Sequence, residues 1–121
     1  MSSEKLRSAR WFEGDNEVAL LHRVAMRSVG AGVDSSATRP VIGIAHSASE
    51  LNPCNMPLKD LAEAARSGVL AAGGIPVVFS TFSLGEDLMK PSAMLYRNLL
   101  AMELEETLRS YPLDGAVLLA N

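Results

Sequence analysis

A single cysteine, Cys54, stands in the 121 residues, so the chain can form no internal disulfide and carries no multi-cysteine metal site of its own. No apolar run approaches the roughly 20 residues that span a bilayer. The opening residues Met1-Ser2-Ser3-Glu4-Lys5-Leu6-Arg7 lack the apolar stretch of a signal peptide. Neither sign of charge dominates: the net charge is -3, the pI is about 5.3, and the basic residues are dispersed. That distribution gives no electrostatic footprint for nucleic acid. Together these absences predict a cytoplasmic protein with neither membrane nor nucleic acid among its partners. What is present is a 48% apolar composition, enough for one core in one globular unit.

Three short apolar runs punctuate the chain: Val41 to Ala45, Ile75 to Phe79 and Gly115 to Ala120. Runs of this length suit strands covered on both faces. Between the first two, Leu58, Leu61, Ala65, Val69 and Ala72 share one helical face, predicting a helix over about 57–72 that Gly73-Gly74 ends. Between the second and third, Pro91 opens a helix through about Arg109, with Leu95, Leu99 and Met102 on one stripe and Leu100, Leu104 and Leu108 beside it. The fold class is therefore α/β, a parallel βαβαβ segment with right-handed crossovers.

Residues 1–38 form a separate N-terminal arm and helix in this reading. From Asp15, a suitable N-cap, Val18, Leu21 and Ala25 recur at helical spacing and form the apolar face, and Gly30-Ala31-Gly32 ends the helix. His22 has no second ligand at metal spacing and reads as packed or solvent-facing. The arm Leu6-Arg7-Ser8-Ala9-Arg10-Trp11-Phe12 reads as an anchor that docks on a neighbouring surface, while its arginines beside aromatics also suit an anionic ligand.

Function should gather at the C-terminal ends of the strands, where open parallel sheets place their ligand loops. After the first strand come His46, Ser47 and Ser49, polar candidates for a substrate loop, and then Asn52-Pro53-Cys54-Asn55-Met56-Pro57. The prolines predict a loop running into a helix start, where the macrodipole favours a thiolate at Cys54 for nucleophilic attack or soft-metal ligation. A small buried apolar side chain is the other reading of Cys54. After the second strand, Glu86 and Asp87 form an acidic pair suited either to a hard cation and proton transfer or simply to solvent.

These stretches carry a resemblance. Arg39-Pro40-Val41-Ile42-Gly43-Ile44-Ala45, Asn52-Pro53-Cys54-Asn55, Asp60-Leu61-Ala62, Ala72-Gly73-Gly74-Ile75-Pro76, Ser83-Leu84-Gly85-Glu86, Pro91-Ser92-Ala93-Met94-Leu95-Tyr96-Arg97-Asn98 and Pro112-Leu113-Asp114-Gly115 resemble the dihydroxy-acid and sugar-acid dehydratases over residues 39–121. The arm looks more like the sugar-acid branch, and Ser83 to Glu86 with Met94 to Asn98 more like the branched-chain biosynthetic one.

The resemblance implies that Cys54 is one of three cysteines holding an iron-sulfur cluster, of two-iron or four-iron type, and that Glu86 is a ligand of a magnesium ion beside it. It implies dehydration of a small 2,3-dihydroxy carboxylic acid to a 2-oxo acid by a longer, homo-oligomeric protein. No catalytic residue is expected within these residues, since the base and remaining ligands belong to segments after Asn121 in that family. By this reading 39–121 is an incomplete N-terminal domain that is inactive alone and exposes apolar surface. The reading from a different class is a stand-alone α/β binding or interaction module without the chemistry.

Overall fold

The computed structural model describes residues 4–121, so residues 1–3 of the expected arm lie outside it. Its three strands, β1 (Val41–His46), β2 (Ile75–Ser80) and β3 (Gly115–Leu118), form one parallel sheet in the order β2-β1-β3. Val41 pairs with Ile75 and His46 with Ser80 on one side, while Ile42 pairs with Gly115 and Ala45 with Leu118 on the other. The parallel βαβαβ order predicted from the apolar runs is the observed one. β3 is shorter than its run, its last pair being Leu118 with Ala45, although Leu119 N still donates to Ala45 O at 3.0 Å.

Successive residues of β1 point to opposite faces, and both faces are covered. Under Ile42, the helix α3 (Leu58–Ala71) packs on β1 and β2, and its Val69 closes with Ile42 around Gly74. It buries Leu58 and Ala62 and half-buries Ala65 and Val69, whereas Leu61 turns to solvent. The opposite face carries Val41, Ile75 and Leu113 against Phe12, Ala31, Val33 and Ala37, with Leu108 of α4 (Arg97–Ser110) packed on that cluster. The two crossover helices thus lie on opposite faces, as right-handed connections require when the chain reverses direction across the sheet.

The arm does dock, and it docks on this chain's own sheet. A short helix, α1 (Ala9–Phe12), buries Phe12 to 1% exposure in the main cluster, worth about 2–3 kcal/mol. Arg7 stacks over Trp11 at 4.9 Å and donates to the carbonyls of Arg109, Tyr111 (2.6 Å) and Leu113 (3.1 Å), so it caps the end of α4. Asp114 completes the tie. Its carboxylate accepts from Ser8 N (2.9 Å), Ser8 Oγ (2.6 Å) and Val41 N (2.8 Å), and its own N-H donates to Val41 O at 2.8 Å.

Two helices differ from their sequence reading. In α2 (Glu17–Ser28) the N-cap is Asn16 and not Asp15, its Oδ1 accepting from Ala19 N at 2.9 Å. The face Val18, Leu21 and Ala25 points to solvent, with Val18 61% and Leu21 60% exposed, and the helix packs instead through Ala19, His22 and Met26. The cause is polar. His22 Nδ1 donates to Trp11 O (2.9 Å) and Arg23 Nη1 to Phe12 O (2.6 Å) and Gly14 O (2.7 Å), so the side that satisfies the carbonyls ending α1 must face inward.

In place of a helix from Pro91, Ser92 Oγ accepts from Met94 N at 3.3 Å and a 3-10 turn, Ala93–Tyr96, precedes α4. Of the two stripes, Leu100, Leu104 and Leu108 of α4 are half-buried, whereas Leu99 and Met102 of α4 and Leu95 in the 3-10 turn are exposed. Large apolar side chains therefore stand in solvent on both α2 and α4, which agrees with the apolar exposure expected from the sequence. No helix among the described residues is long and apolar enough to cross a membrane.

Asp114→Ala removes three accepted bonds and leaves the buried Val41 N-H without a partner. We expect it to cost about 2–3 kcal/mol in urea unfolding, where Ser8→Ala costs about 1.

Candidate functional site

The sheet order has one reversal. From β1 the chain moves to β2 on one side and then returns to β3 on the other, so the reversal falls at β1, with the C-terminal end of β3 beside it. At such a reversal lies the crevice where open α/β sheets bind their ligands. Here it is a cleft of about 410 Å³, walled by His46, Ser47, Asn55, Thr81, Arg97 and Asn121 above an apolar floor that includes Leu100, Leu104 and Leu118. A second cavity, about 340 Å³ between α2, α4 and the sheet, is lined mainly by apolar side chains such as Val77, Phe79 and Leu113, with the hydroxyl residues Ser80, Thr107 and Tyr111 and no acid or base.

Cys54 stands at the rim of this crevice in a 3-10 turn, Pro53–Asn55. The loop before it is closed by a bridge between Ser49 and Asn52, with Leu51 N donating to Ser49 Oγ at 3.1 Å. Pro53 opens the turn and Asn55 N returns to Asn52 O at 3.0 Å. The residues flanking Cys54 tie the loop to its neighbours. Asn55 Nδ2 donates to Ser47 Oγ at 2.9 Å, Ser83 Oγ donates to Ser47 O, and Asn121 Nδ2 donates to Cys54 O at 2.7 Å.

The thiol is exposed, which removes the buried-side-chain reading. The expected electrostatics are also corrected. Cys54 lies in its own turn ahead of α3, and its Sγ donates to Asp87 Oδ2 at 3.1 Å. That hydrogen bond, and then the carboxylate's charge, hold the thiol above its ordinary pKa and disfavour the thiolate that a helix N-terminus would have favoured.

Of the other candidates, His46 ends β1 rather than opening the loop, and its Nδ1 accepts from Ala48 N at 3.2 Å. The neutral ring then carries its proton on Nε2. Ser47 lines the cleft but already serves Asn55 and Ser83, and Ser49 Oγ is taken by Leu51 N outside the cleft wall. Glu86 is exposed, with Oε1 accepting from Ser92 Oγ at 3.3 Å. The acidic partner that reaches Cys54 is Asp87. Among the described residues no three His, Cys, Asp or Glu side chains gather as a metal-holding group.

The sequence pattern assigns no site role to Asn52, Asn55, Gly85 or Asn121. Asn52 is 3% exposed, and a Cβ on Gly85 would sit 2.4 Å from its Oδ1, so the Cys54 loop and the Glu86 loop touch where no other residue fits. A glycine immediately before the acidic pair was the available signal for that approach.

Residues 39–121 match the family described as dihydroxy-acid/6-phosphogluconate dehydratase N-terminal. The chain belongs to this dehydratase family. Among curated relatives, it is 52% identical over 116 residues to the 6-deoxy-6-sulfo-D-gluconate dehydratase of Pseudomonas putida, covering 96% of this chain and 20% of that protein. It is 44% identical to the L-arabinonate dehydratase of Rhizobium leguminosarum bv. trifolii, over 95% of this chain and 20% of the relative. It is 34% identical to the dihydroxy-acid dehydratase of Crocosphaera subtropica, over 95% and 21%. The chain thus spans about a fifth of the length of these dehydratases.

Two outcomes follow for this dehydratase segment. In metal-free protein, Asp87→Asn removes the negative charge beside Cys54, so the thiol pKa should fall toward its ordinary value and alkylation at neutral pH should accelerate, read as rate against pH. Gly85→Ala should drive the two loops apart at Asn52, lowering the unfolding free energy by about 1–3 kcal/mol and speeding hydrogen exchange in both loops.

Proposed function

We propose that the polypeptide carrying this chain is a hydro-lyase that dehydrates 2,3-dihydroxy carboxylic acids, sugar acids foremost, to 2-oxo acids. The observation that carries the reading is the exposed Cys54 thiol, held at the sheet's reversal against a carboxylate-bearing loop in a chain of this dehydratase family. The sugar-acid preference is supported by identities of 52% and 44% to two sugar-acid dehydratases against 34–38% to dihydroxy-acid dehydratases.

The donor types fit the cofactors that this chemistry needs. Cys54 would give a thiolate to an iron-sulfur cluster, and Glu86 a carboxylate to magnesium, with soft and hard donors on adjoining loops. Bound there, iron and magnesium would supply Lewis acidity to the hydroxyl that leaves carbon 3. Ligation requires Cys54 to lose its proton, and Asp87 Oδ2, already its acceptor, is placed to take it. Asn121 and Asn55 hold the backbone that presents the sulfur, so the loop need not be ordered when ligands arrive. His46 Nε2-H can donate to a substrate hydroxyl from the cleft wall. The carbon-2 proton and the carbon-3 hydroxide leave together as water, and the enol settles as the 2-oxo acid without net oxidation.

The test is Cys54→Ser in the full-length protein purified without oxygen. Iron and sulfide content should fall, and 2-oxo acid formation from sugar acids should drop more than about 100-fold while the fold persists by circular dichroism. A wild-type protein that dehydrates no 2,3-dihydroxy acid, or a Cys54→Ser protein with its iron and activity intact, contradicts the proposal.

A further inference from the structure

The cleft wall is uncharged except at one place. His46, Ser47, Asn55, Thr81 and Asn121 bring neutral polar groups, no Asp or Glu lines it, and the one permanent charge is Arg97, the first residue of α4. The other arginines that turn toward the body of the chain are satisfied by carbonyls: Arg7 at the end of α4, Arg23 at the end of α1, and Arg39 at Gly73 O (3.1 Å) and Gly74 O (2.9 Å). Among the described residues Arg97 makes no ion pair, the three pairs being Lys5–Glu13, Arg66–Glu63 and Arg109–Glu105, and its guanidinium donates to no protein acceptor. It lines a ligand-sized cleft and is exposed to solvent. A guanidinium offers a planar fork of donors matched to the two oxygens of a carboxylate, and around it the cleft offers hydroxyls, amides and an imidazole N-H suited to a polyhydroxy chain.

The geometry points to Arg97 as the residue that binds the substrate's carboxylate group in this cleft. This rests on the dehydratase reading, in which every substrate considered is an acid. The assignment also sets the direction of the substrate. The acid end lies at the start of α4 and the hydroxylated chain runs along the β1 loop past His46 and Ser47, while a neutral polyol of the same length finds no charge to pair with.

The experiment uses the full-length, metal-loaded protein with Arg97→Gln and Arg97→Lys. With an unsubstituted sugar acid such as L-arabinonate, Arg97→Gln should raise KM about 10- to 100-fold and leave kcat little changed, and Arg97→Lys, which keeps the charge but loses the fork, should fall between. Calorimetric titration with the corresponding 2-oxo acid product, which keeps the carboxylate and does not react, should show the same loss of affinity. If the wild type binds that product in an Arg97-dependent way yet dehydrates no acid, the dehydratase reading fails and the carboxylate site stands. Unchanged KM and product affinity in a folded Arg97→Gln protein overturn the proposal. So does a loss confined to acids with a second anionic group at the far end, which would place Arg97 at the tail, and so does a wild type that binds neither acid nor product.

Discussion

The structure depends on the need to satisfy β1 on all sides. Val41 and Ile44 are fully buried, so the strand's backbone groups have no water to turn to, and each must meet another strand, a side chain or a turn. β2 and β3 take the two edges. At the N-terminal end the Asp114 carboxylate supplies the acceptor that no strand offers, and in doing so it fastens the arm through Ser8. At the C-terminal end His46 O accepts from Thr81 N at 2.9 Å, so the loops after β1 and β2 leave from a fixed edge. Charged hydrogen bonds of the Asp114 kind contribute about 1.5–3 kcal/mol each, against about 1 for neutral ones, so the charged end outweighs any single contact in the loops.

From that edge the site follows by topology. Because β1 is central and the chain reverses across it, the crevice opens beside the loop that carries Cys54, and the end of β3 arrives on its far side. Asn121 bridging to Cys54 O is the direct consequence. The contact of Gly85 with Asn52 joins the third loop. Three loops from three strands are then held by a few hydrogen bonds and one close approach, which presents the thiol to solvent without burying it. This suits the proposed role of Cys54, since a cluster ligand must be fixed in place and still reachable.

Much of the scaffold was legible in the sequence, because buried strands and helix faces write themselves as apolar periodicity. The runs at Val41, Ile75 and Gly115 became the sheet, and Leu58, Ala65 and Val69 fall on the packed side of α3. What misled was periodicity without partners. Val18, Leu21 and Ala25 form a sound amphipathic stripe, but the arm's unsatisfied carbonyls drew His22 and Arg23 inward and turned the stripe out. At the site, the placement of Cys54 on the functional edge could be read from the order of strands and loops. The state of its thiol could not, because that depends on Asp87 in a loop of another strand. Arg97 was likewise hidden, since only the fold brings the start of α4 beside the end of β1.

The proposed role of Cys54 as a cluster ligand is put to diffraction from anaerobically grown crystals of the full-length protein, recorded on both sides of the iron absorption edge. An anomalous iron peak bonded to Cys54 Sγ is expected, with the thiol's hydrogen bond to Asp87 replaced. An iron peak elsewhere, or a fully occupied Cys54–Asp87 hydrogen bond in an iron-loaded and active protein, would overturn that role.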